Sequence, residues 1–324
     1  MKKNLLHLLV GFLFFIGCKK EENQSLKTST DLPAREKFMM TGPLNNKYNL
    51  SNWMGSLADL TSIAQLSIPG SHNAAAKVEY IWGTAKCQNL NITEQLNSGV
   101  RFLDIRCRHL GNAFVIHHGE VYQKINFQDV LNACYNFLNR NPSEAILMSI
   151  KEEYNAQYNS RSFEQTFDSY VKANPTQWNL QSSSGILGNT RGKIKLIRRF
   201  GAKSVKGVDA SKWFDNAIFD VQSDEAPLKV QDIYRVSKTN IKSGQVMAFL
   251  KEARISKIPK LYINFASGYK SSLFGIPDIT SVSRALNPAI STYLNANKQG
   301  RYGIIAADFI SEGLSRQIVA SNFY

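Results

Sequence analysis

The chain has 324 residues, room for one large domain, and 43% of them are hydrophobic, enough for a real core. Its formal net charge is +14, from 39 Lys and Arg against 25 Asp and Glu, an excess that favours an acidic membrane surface or nucleic acid as partner. No basic run interleaved with aromatics tracks a nucleic-acid backbone, so nucleic acid is set aside, and no zinc-type ligand spacing is present.

Lys2 and Lys3 open the chain, followed by an apolar stretch over 5–16 broken by His7. That stretch falls well short of the ~20 apolar residues a spanning helix needs, so 1–17 reads as an export signal. Its end, Phe15-Ile16-Gly17-Cys18, resembles the lipobox of bacterial lipoproteins, with Phe15 where leucine is usual and Cys18 as the lipidated residue. Lys19, Lys20, Glu21 and Glu22 resemble the sorting signal of some surface-displayed lipoproteins. The expected location is the outer membrane or cell surface, anchored through Cys18; the alternative is a secreted protein with an ordinary cleaved signal. Residues 18–50 are polar, lack apolar periodicity and are expected to be a tether, leaving 51–324 as one domain.

Short apolar runs then alternate with helical patterns. Strands are expected over 66–69, 101–106, 113–117, 145–150, 193–198, 260–265 and 302–307, with helices over 127–139, 161–173 and 287–296. The alternation predicts a parallel sheet, and this many strands predict a barrel. Polar or ionisable residues follow nearly every run: His72, Asp104 and Arg106, His117 and His118, Lys151, Arg199, Asp308. In a parallel barrel the C-terminal strand ends converge on one face, so residues as distant as His72 and Asp308 meet.

Three of the five histidines fall in two motifs, LSIPGSH ending at His72 and VIHHG carrying His117 and His118, with RFLDIR between them. Imidazoles suit proton transfer near neutral pH, and a guanidinium suits phosphate oxygens because its charge is permanent and its fork binds two of them. Period two turns His117 away from His118, so His117 is expected to be a structural neighbour. Asp104 is expected to orient Arg106 or Lys151 rather than take a proton. Beyond Cys18 the cysteines are Cys87, Cys107 and Cys134, an odd set that cannot all pair. Cys134 lies on a helical apolar stripe and Cys107 faces away from Asp104 and Arg106, so both are expected to be buried thiols.

The motifs IPGSHN, RFLDIRCR, VIHHG, NPSEAILMSIKEEY, KIKLIRRF, VQDIYRV, LYINF and AADFI, in this order from about Leu66 onward, resemble bacterial phosphatidylinositol-specific phospholipase C. The resemblance implies an α/β fold, a single distorted and incompletely closed barrel of the triosephosphate-isomerase (β/α)8 type. It implies cleavage of phosphatidylinositol, free or glycosylated, to diacylglycerol and inositol 1,2-cyclic phosphate, with no cofactor. By the same resemblance His72 is the general base for the inositol 2-hydroxyl, His118 the general acid, Asp308 the carboxylate behind His72, and Arg106 the phosphate cation. Lys151, Arg199, Asp232 and Tyr234 match positions that hold the inositol ring, and Glu153, Trp213 and Asp215 match lesser ones. A monomer acting on a phosphatidylinositol-containing membrane is expected.

One residue departs from the family pattern: Asn73 stands where an Asp usually assists the general acid. An amide can still hydrogen-bond but supplies no charge, which predicts slower turnover or an altered leaving-group preference. Asn here also resembles calcium-dependent eukaryotic phospholipases C, but Arg106 occupies the place of the ion, so no metal is expected. Tyr80, Ile81, Trp82, Leu273 and Phe274 are expected at a membrane-facing rim, with Lys203, Lys206, Lys212 and Lys270 adding attraction. The rival readings are a noncatalytic surface lipoprotein that binds inositol lipids and a metal-dependent glycerophosphodiesterase-like barrel.

Overall fold

Short runs rich in Ile, Leu and Val, buried on both faces, favour parallel strands covered by helices, and a computed structural model shows them so arranged over its described residues, 48–223, 225–271 and 275–324. In chain order the strands are β1 (Ser67–Ser71), β2 (Phe102–Leu110), β3 (Ala113–His118), β4 (Val121–Asn126), β5 (Ile146–Glu152), β6 (Trp178–Asn179), β7 (Ile194–Arg199) and β8 (Val208–Asp209). They continue with β9 (Ile218–Val221), β10 (Leu228–Gln231), β11 (Leu261–Ala266), β12 (Lys270–Ser271), β13 (Pro277–Asp278) and β14 (Gly303–Ala307). The helices are α1 (Ile92–Asn97), α2 (Phe127–Arg140), α3 (Phe163–Ala173), α4 (Thr239–Ile255), α5 (Ile279–Ala296) and α6 (Glu312–Ala320).

The main sheet runs β6–β7–β5–β2–β1–β14–β11–β10–β9. Neighbours are parallel from β6 to β10, and β9 ends the row antiparallel to β10. The two end strands do not pair with each other, so the curled sheet is the distorted, incompletely closed barrel that was expected. The gap lies where β7 is followed by loops and short strands, with no α-helix among the described residues until α4.

Strand periodicity decides what reaches the interior. Along β2, Phe102 packs in the inner cluster with Ile68, Leu147, Ile263 and Ile304. Leu103, Ile105 and Cys107 pack outward with Val130, Leu131 and Cys134 of α2. Asp104 and Arg106 share the face of Phe102 and so point inward. Both outward cysteines are the buried thiols expected.

At the opposite end of the barrel, Trp53 donates from Nε1 to the Gly99 carbonyl at 3.0 Å and packs in the inner cluster. Arg101 and Glu144, both wholly buried, pair at 2.7 Å beneath it. The remaining guanidinium hydrogens go to the carbonyls of Leu96, Val100, Leu50 and Ser51. Removing one partner of such a pair typically costs ~3–5 kcal/mol because the other is left charged and dry.

Three expectations need correction. The run over 113–117 is not a parallel barrel strand: it turns back at Gly111 and Asn112 and pairs antiparallel with β2, then with β4. The helix expected over 287–296 begins at Ile279 and passes through Pro288, capped by Asp278, whose side chain accepts from Ser281 N–H at 2.9 Å. The strand β10 was not expected, being only four residues long.

Candidate active site

The C-terminal ends of β1, β2, β5, β7, β10 and β14, with the end of the β3 hairpin arm, deliver polar side chains into one cleft of about 530 Å³. His72 follows β1 directly and Asp308 follows β14 directly, in adjacent strands. Arg106 donates from Nη2 to His72 Nε2 at 2.8 Å, which leaves Nδ1 as the protonated ring nitrogen. That Nδ1–H donates to Asp308 Oδ1 at 2.6 Å. The other Asp308 oxygen accepts from Gly268 N–H at 3.3 Å. A Cβ at Gly268 would lie 2.6 Å from the Tyr234 carbonyl, so only glycine lets this backbone approach.

Arg106 is held by carboxylates on two sides. Its Nε donates to Asp104 Oδ2 at 3.2 Å and its Nη1 lies 3.7 Å from Glu153 Oε1. Asp104 also lies 3.4 Å from Arg199 Nη1 and accepts from the Asn73 N–H at 3.1 Å. Burial alone would raise the Asp104 carboxyl, but Arg106, Arg199 and His72 hold it well below the usual carboxylate range. Asp104 thus lies between the two guanidinium groups of Arg106 and Arg199. Glu153 behaves alike: burial opposes its charge, yet Arg106 and Lys151 bring it down to about 2.

The His118 ring stands 6.4 Å from that of His72, at 89° to it. The Ala85 carbonyl takes the Nδ1–H at 2.7 Å, leaving Nε2 for the cleft. Burial and then the neighbouring Arg106 lower His118 to about 4. The imidazole is thus neutral at pH 7 until something anionic offsets Arg106. His117 stacks on Tyr154 with ring centroids 5.8 Å apart, and so takes the structural place read for it.

The remaining wall sets charged side chains beside aromatic ones. Arg199 lies flat on Trp213, 3.7 Å from the ring centroid, and Trp213 Nε1 donates to Asp232 Oδ2 at 3.0 Å. Lys151 Nζ donates to Glu153 Oε2 at 3.1 Å, and Tyr234 OH donates to Asp215 Oδ1 at 2.6 Å. Lys151, Arg199, Asp232 and Tyr234 all line the cleft.

Asn73 departs from expectation. Its side chain is buried and neither amide atom has a partner among the described residues, so its hydrogen bond to this site is made by the main chain alone. Lys206 is buried against Glu164 and Asp168 at 2.8 and 2.7 Å, which removes it from any membrane-facing set. Leu273 and Phe274 lie outside the described residues, as do Cys18, the signal segment and the tether up to residue 47, whereas Tyr48 stacks on Phe323 and Leu50 is buried in the inner cluster. Ser211, Phe214 and Tyr269 line the cleft without having been singled out, and the Ala85 carbonyl and Cys87 behind His118 were missed too. Only the Gly-Tyr following LYINFAS, and the Trp-Phe at 213–214, carried any signal.

Among the described residues, one group could offer mixed metal ligands: His72, Cys87 and Asp308 place ligand atoms within 4.8 Å of one another. His72 Nδ1 and Asp308 Oδ1 are already joined by a hydrogen bond, at a separation too short for both to bind one tetrahedral ion. The Cys87 thiol is raised well above its usual range by burial and then by Asp308, so it stays protonated.

Residues 62–200 match the family described as phosphatidylinositol-specific phospholipase C, X domain. A 1-phosphatidylinositol phosphodiesterase of Staphylococcus aureus is 32% identical over 277 residues, covering 80% of this chain and 88% of that protein. The chain belongs to the phosphatidylinositol-specific phospholipase C family. A Listeria monocytogenes relative of the same name is 27% identical over 293 residues, covering 86% of this chain and 87% of its own. A solved structure of the Staphylococcus aureus phospholipase C superposes with a TM-score of 0.78 at 29% identity, covering 85% of this chain and 98% of that one. The Listeria monocytogenes enzyme, at 22% identity and a TM-score of 0.69 over 86% of this chain and all of its own, shares the fold.

Proposed function

We propose that this protein cleaves phosphatidylinositol at the phosphorus–glycerol oxygen bond, giving diacylglycerol and inositol 1,2-cyclic phosphate. The reading is carried by two perpendicular imidazoles across one cleft, one backed by a carboxylate and the other by a carbonyl. His72 Nε2 takes the proton of the inositol 2-hydroxyl as its oxygen attacks phosphorus, and Asp308 stabilises the imidazolium that forms. Arg106 leaves Nε2 for the nonbridging phosphate oxygens, a stronger acceptor for its fork than an imidazole. The phosphate charge offsets Arg106 and restores a proton to His118, whose Nε2–H passes to the glycerol oxygen as its bond to phosphorus breaks. Lys151, Arg199 and Asp232 bind inositol hydroxyls and Tyr234 covers the C–H face of the ring. A site built on hydroxyl contacts rejects head groups lacking them.

Catalysis is proposed to be metal-independent, because the Arg106 guanidinium lies between Asp104, Glu153 and His72, where a divalent ion would otherwise sit. Phosphorus NMR of the protein with phosphatidylinositol vesicles is expected to show the cyclic phosphate at equal rates with and without excess EDTA. No cyclic phosphate would refute the activity, and loss in EDTA restored by calcium would refute metal independence.

Tyr80, Ile81 and Trp82 are 72%, 59% and 69% exposed, an aromatic patch on the segment that also reaches His118 through Ala85. The next residue, Gly83, accepts at its carbonyl from the Ile279 N–H, which ties the patch to a residue of the cleft wall. We propose that it inserts at the lipid interface, where Trp and Tyr are favoured. Trp82→Ala is expected to weaken binding to phosphatidylinositol-containing vesicles about tenfold; unchanged affinity would remove the patch from docking. The protein is further proposed to be a monomeric lipoprotein held through Cys18. Cys18→Ser is expected to move it from the membrane to the soluble fraction of cells, and an unchanged distribution would refute the anchor.

A further inference from the structure

Among the described residues, no carboxylate hydrogen-bonds to the His118 ring proposed as the general acid. Asn73, at the position where the resemblance puts an Asp, points neither amide atom at a partner among the described residues. The back of His118 meets a short strap instead. The Ala85 carbonyl takes Nδ1–H at 2.7 Å, and the Cys87 sulfur lies 3.6 Å from the same nitrogen and 3.8 Å from the Ala85 oxygen. The strap is fixed at both faces: Cys87 N–H donates to the Ala76 carbonyl at 2.9 Å, and the Cys87 carbonyl accepts from Phe309 N–H at 2.6 Å. One residue on, Gln88 donates to the carbonyls of His72 and Ala307 at 2.8 and 2.9 Å. Ala85 to Gln88 therefore touches the His118 ring and the His72 main chain, and the Cys87 sulfur lies within 4.8 Å of both His72 Nδ1 and an Asp308 oxygen.

We propose that Cys87 is a positioning residue for proton donation, its buried thiol bridging the back of the His118 ring and the Asp308 carboxylate. The thiol is wholly buried, and burial with the adjacent Asp308 keeps it as S–H. For this role its hydrogen turns to the Asp308 carboxylate rather than to the Ala85 carbonyl 3.8 Å away, and its sulfur lone pairs face the Nδ1–H of His118. That dipole favours the imidazolium without a full charge and keeps Nδ1 on the Ala85 carbonyl, so Nε2–H stays aimed at the leaving oxygen. The proton passes from Nε2 to the glycerol oxygen as the phosphorus–oxygen bond breaks, and the thiol itself neither gains nor loses one.

This inference rests on His118 being the general acid, and the test separates the two. Parent, Cys87→Ala and Cys87→Ser are assayed on phosphatidylinositol and on a 4-nitrophenyl ester of inositol 1-phosphate, whose leaving group departs without a proton. Cys87→Ala is expected to lower kcat on phosphatidylinositol about tenfold with KM unchanged, and on the nitrophenyl ester by less than about twofold. The basic limb of its kcat–pH profile is expected to move to lower pH, and Cys87→Ser to restore both limb and rate. Equal losses on the two substrates, no loss on either, or serine no better than alanine would overturn the proposal. Thermal denaturation and the His118 imidazole titration by NMR on Cys87→Ser serve if the alanine variant misfolds: a titration identical to that of the parent in a serine variant of unchanged stability supports the bridge, and one displaced downward overturns it. A parent that turned over neither substrate would overturn the proposed function, and this inference with it.

Discussion

Replacing His72 with alanine is expected to lower turnover of phosphatidylinositol by ~10²–10⁴, with KM little changed. The tautomer of the ring is fixed from behind by a carboxylate: Nδ1–H is committed to Asp308 at 2.6 Å, which obliges Nε2 to accept. Arg106 shows that Nε2 does accept, since it donates there at 2.8 Å. Without the imidazole, the 2-hydroxyl must give its proton to water, and binding of the inositol ring by Arg199, Asp232 and Tyr234 is untouched. Asp308→Asn is expected to lose less than His72→Ala, because the amide still reaches the ring but either turns it to the wrong tautomer or leaves its imidazolium unneutralised. The measurement is single-turnover rate on vesicles beside binding of inositol. A His72→Ala rate within about threefold of the parent would take His72 out of the proton transfer.

The sequence made the strand-borne part of this site legible and little of the rest. His72, Arg106, Lys151, Arg199 and Asp308 sit within or directly after apolar runs whose two-residue period forces them toward one face, so their convergence followed from topology. The hairpin of β3 on β2 was misread because an apolar run of five residues looks the same in parallel and antiparallel pairing; the turn at Gly111 and Asn112, both at positive φ, was the discriminating signal. β10 is too short to show a period at all. The loop from Asn73 to Cys87 has none either, so neither the Ala85 carbonyl nor the thiol beside His118 was foreseeable from residue type. Asn73 was expected to act through its amide because it stands where the resemblance puts an Asp assisting the general acid, yet a positive φ of 44° turns the chain there and leaves only its N–H in the network. Lys206 was counted as surface charge by composition alone, whereas α3 brings Glu164 and Asp168 over it.

Arg106→Lys is expected to cost ~10²–10³ in kcat although charge is conserved, the loss typical of removing a preorganised donor to the reacting phosphate. The guanidinium reaches three groups at once, Asp104 at 3.2 Å, Glu153 at 3.7 Å and His72 at 2.8 Å, and only a planar fork spans them. An ammonium satisfies one or two and leaves the others as buried carboxylates with a weaker counter-charge. Arg106 also lowers His118 in the free protein, so a cation further from that ring lets His118 keep its proton to higher pH. The lysine variant is therefore expected to bind the phosphodiester less well while its unliganded His118, followed by NMR, titrates above the parent's value of about 4. A variant that kept the parental kcat would show that the phosphate is met by some other donor, with Lys151 or Arg199 the groups in reach of the cleft.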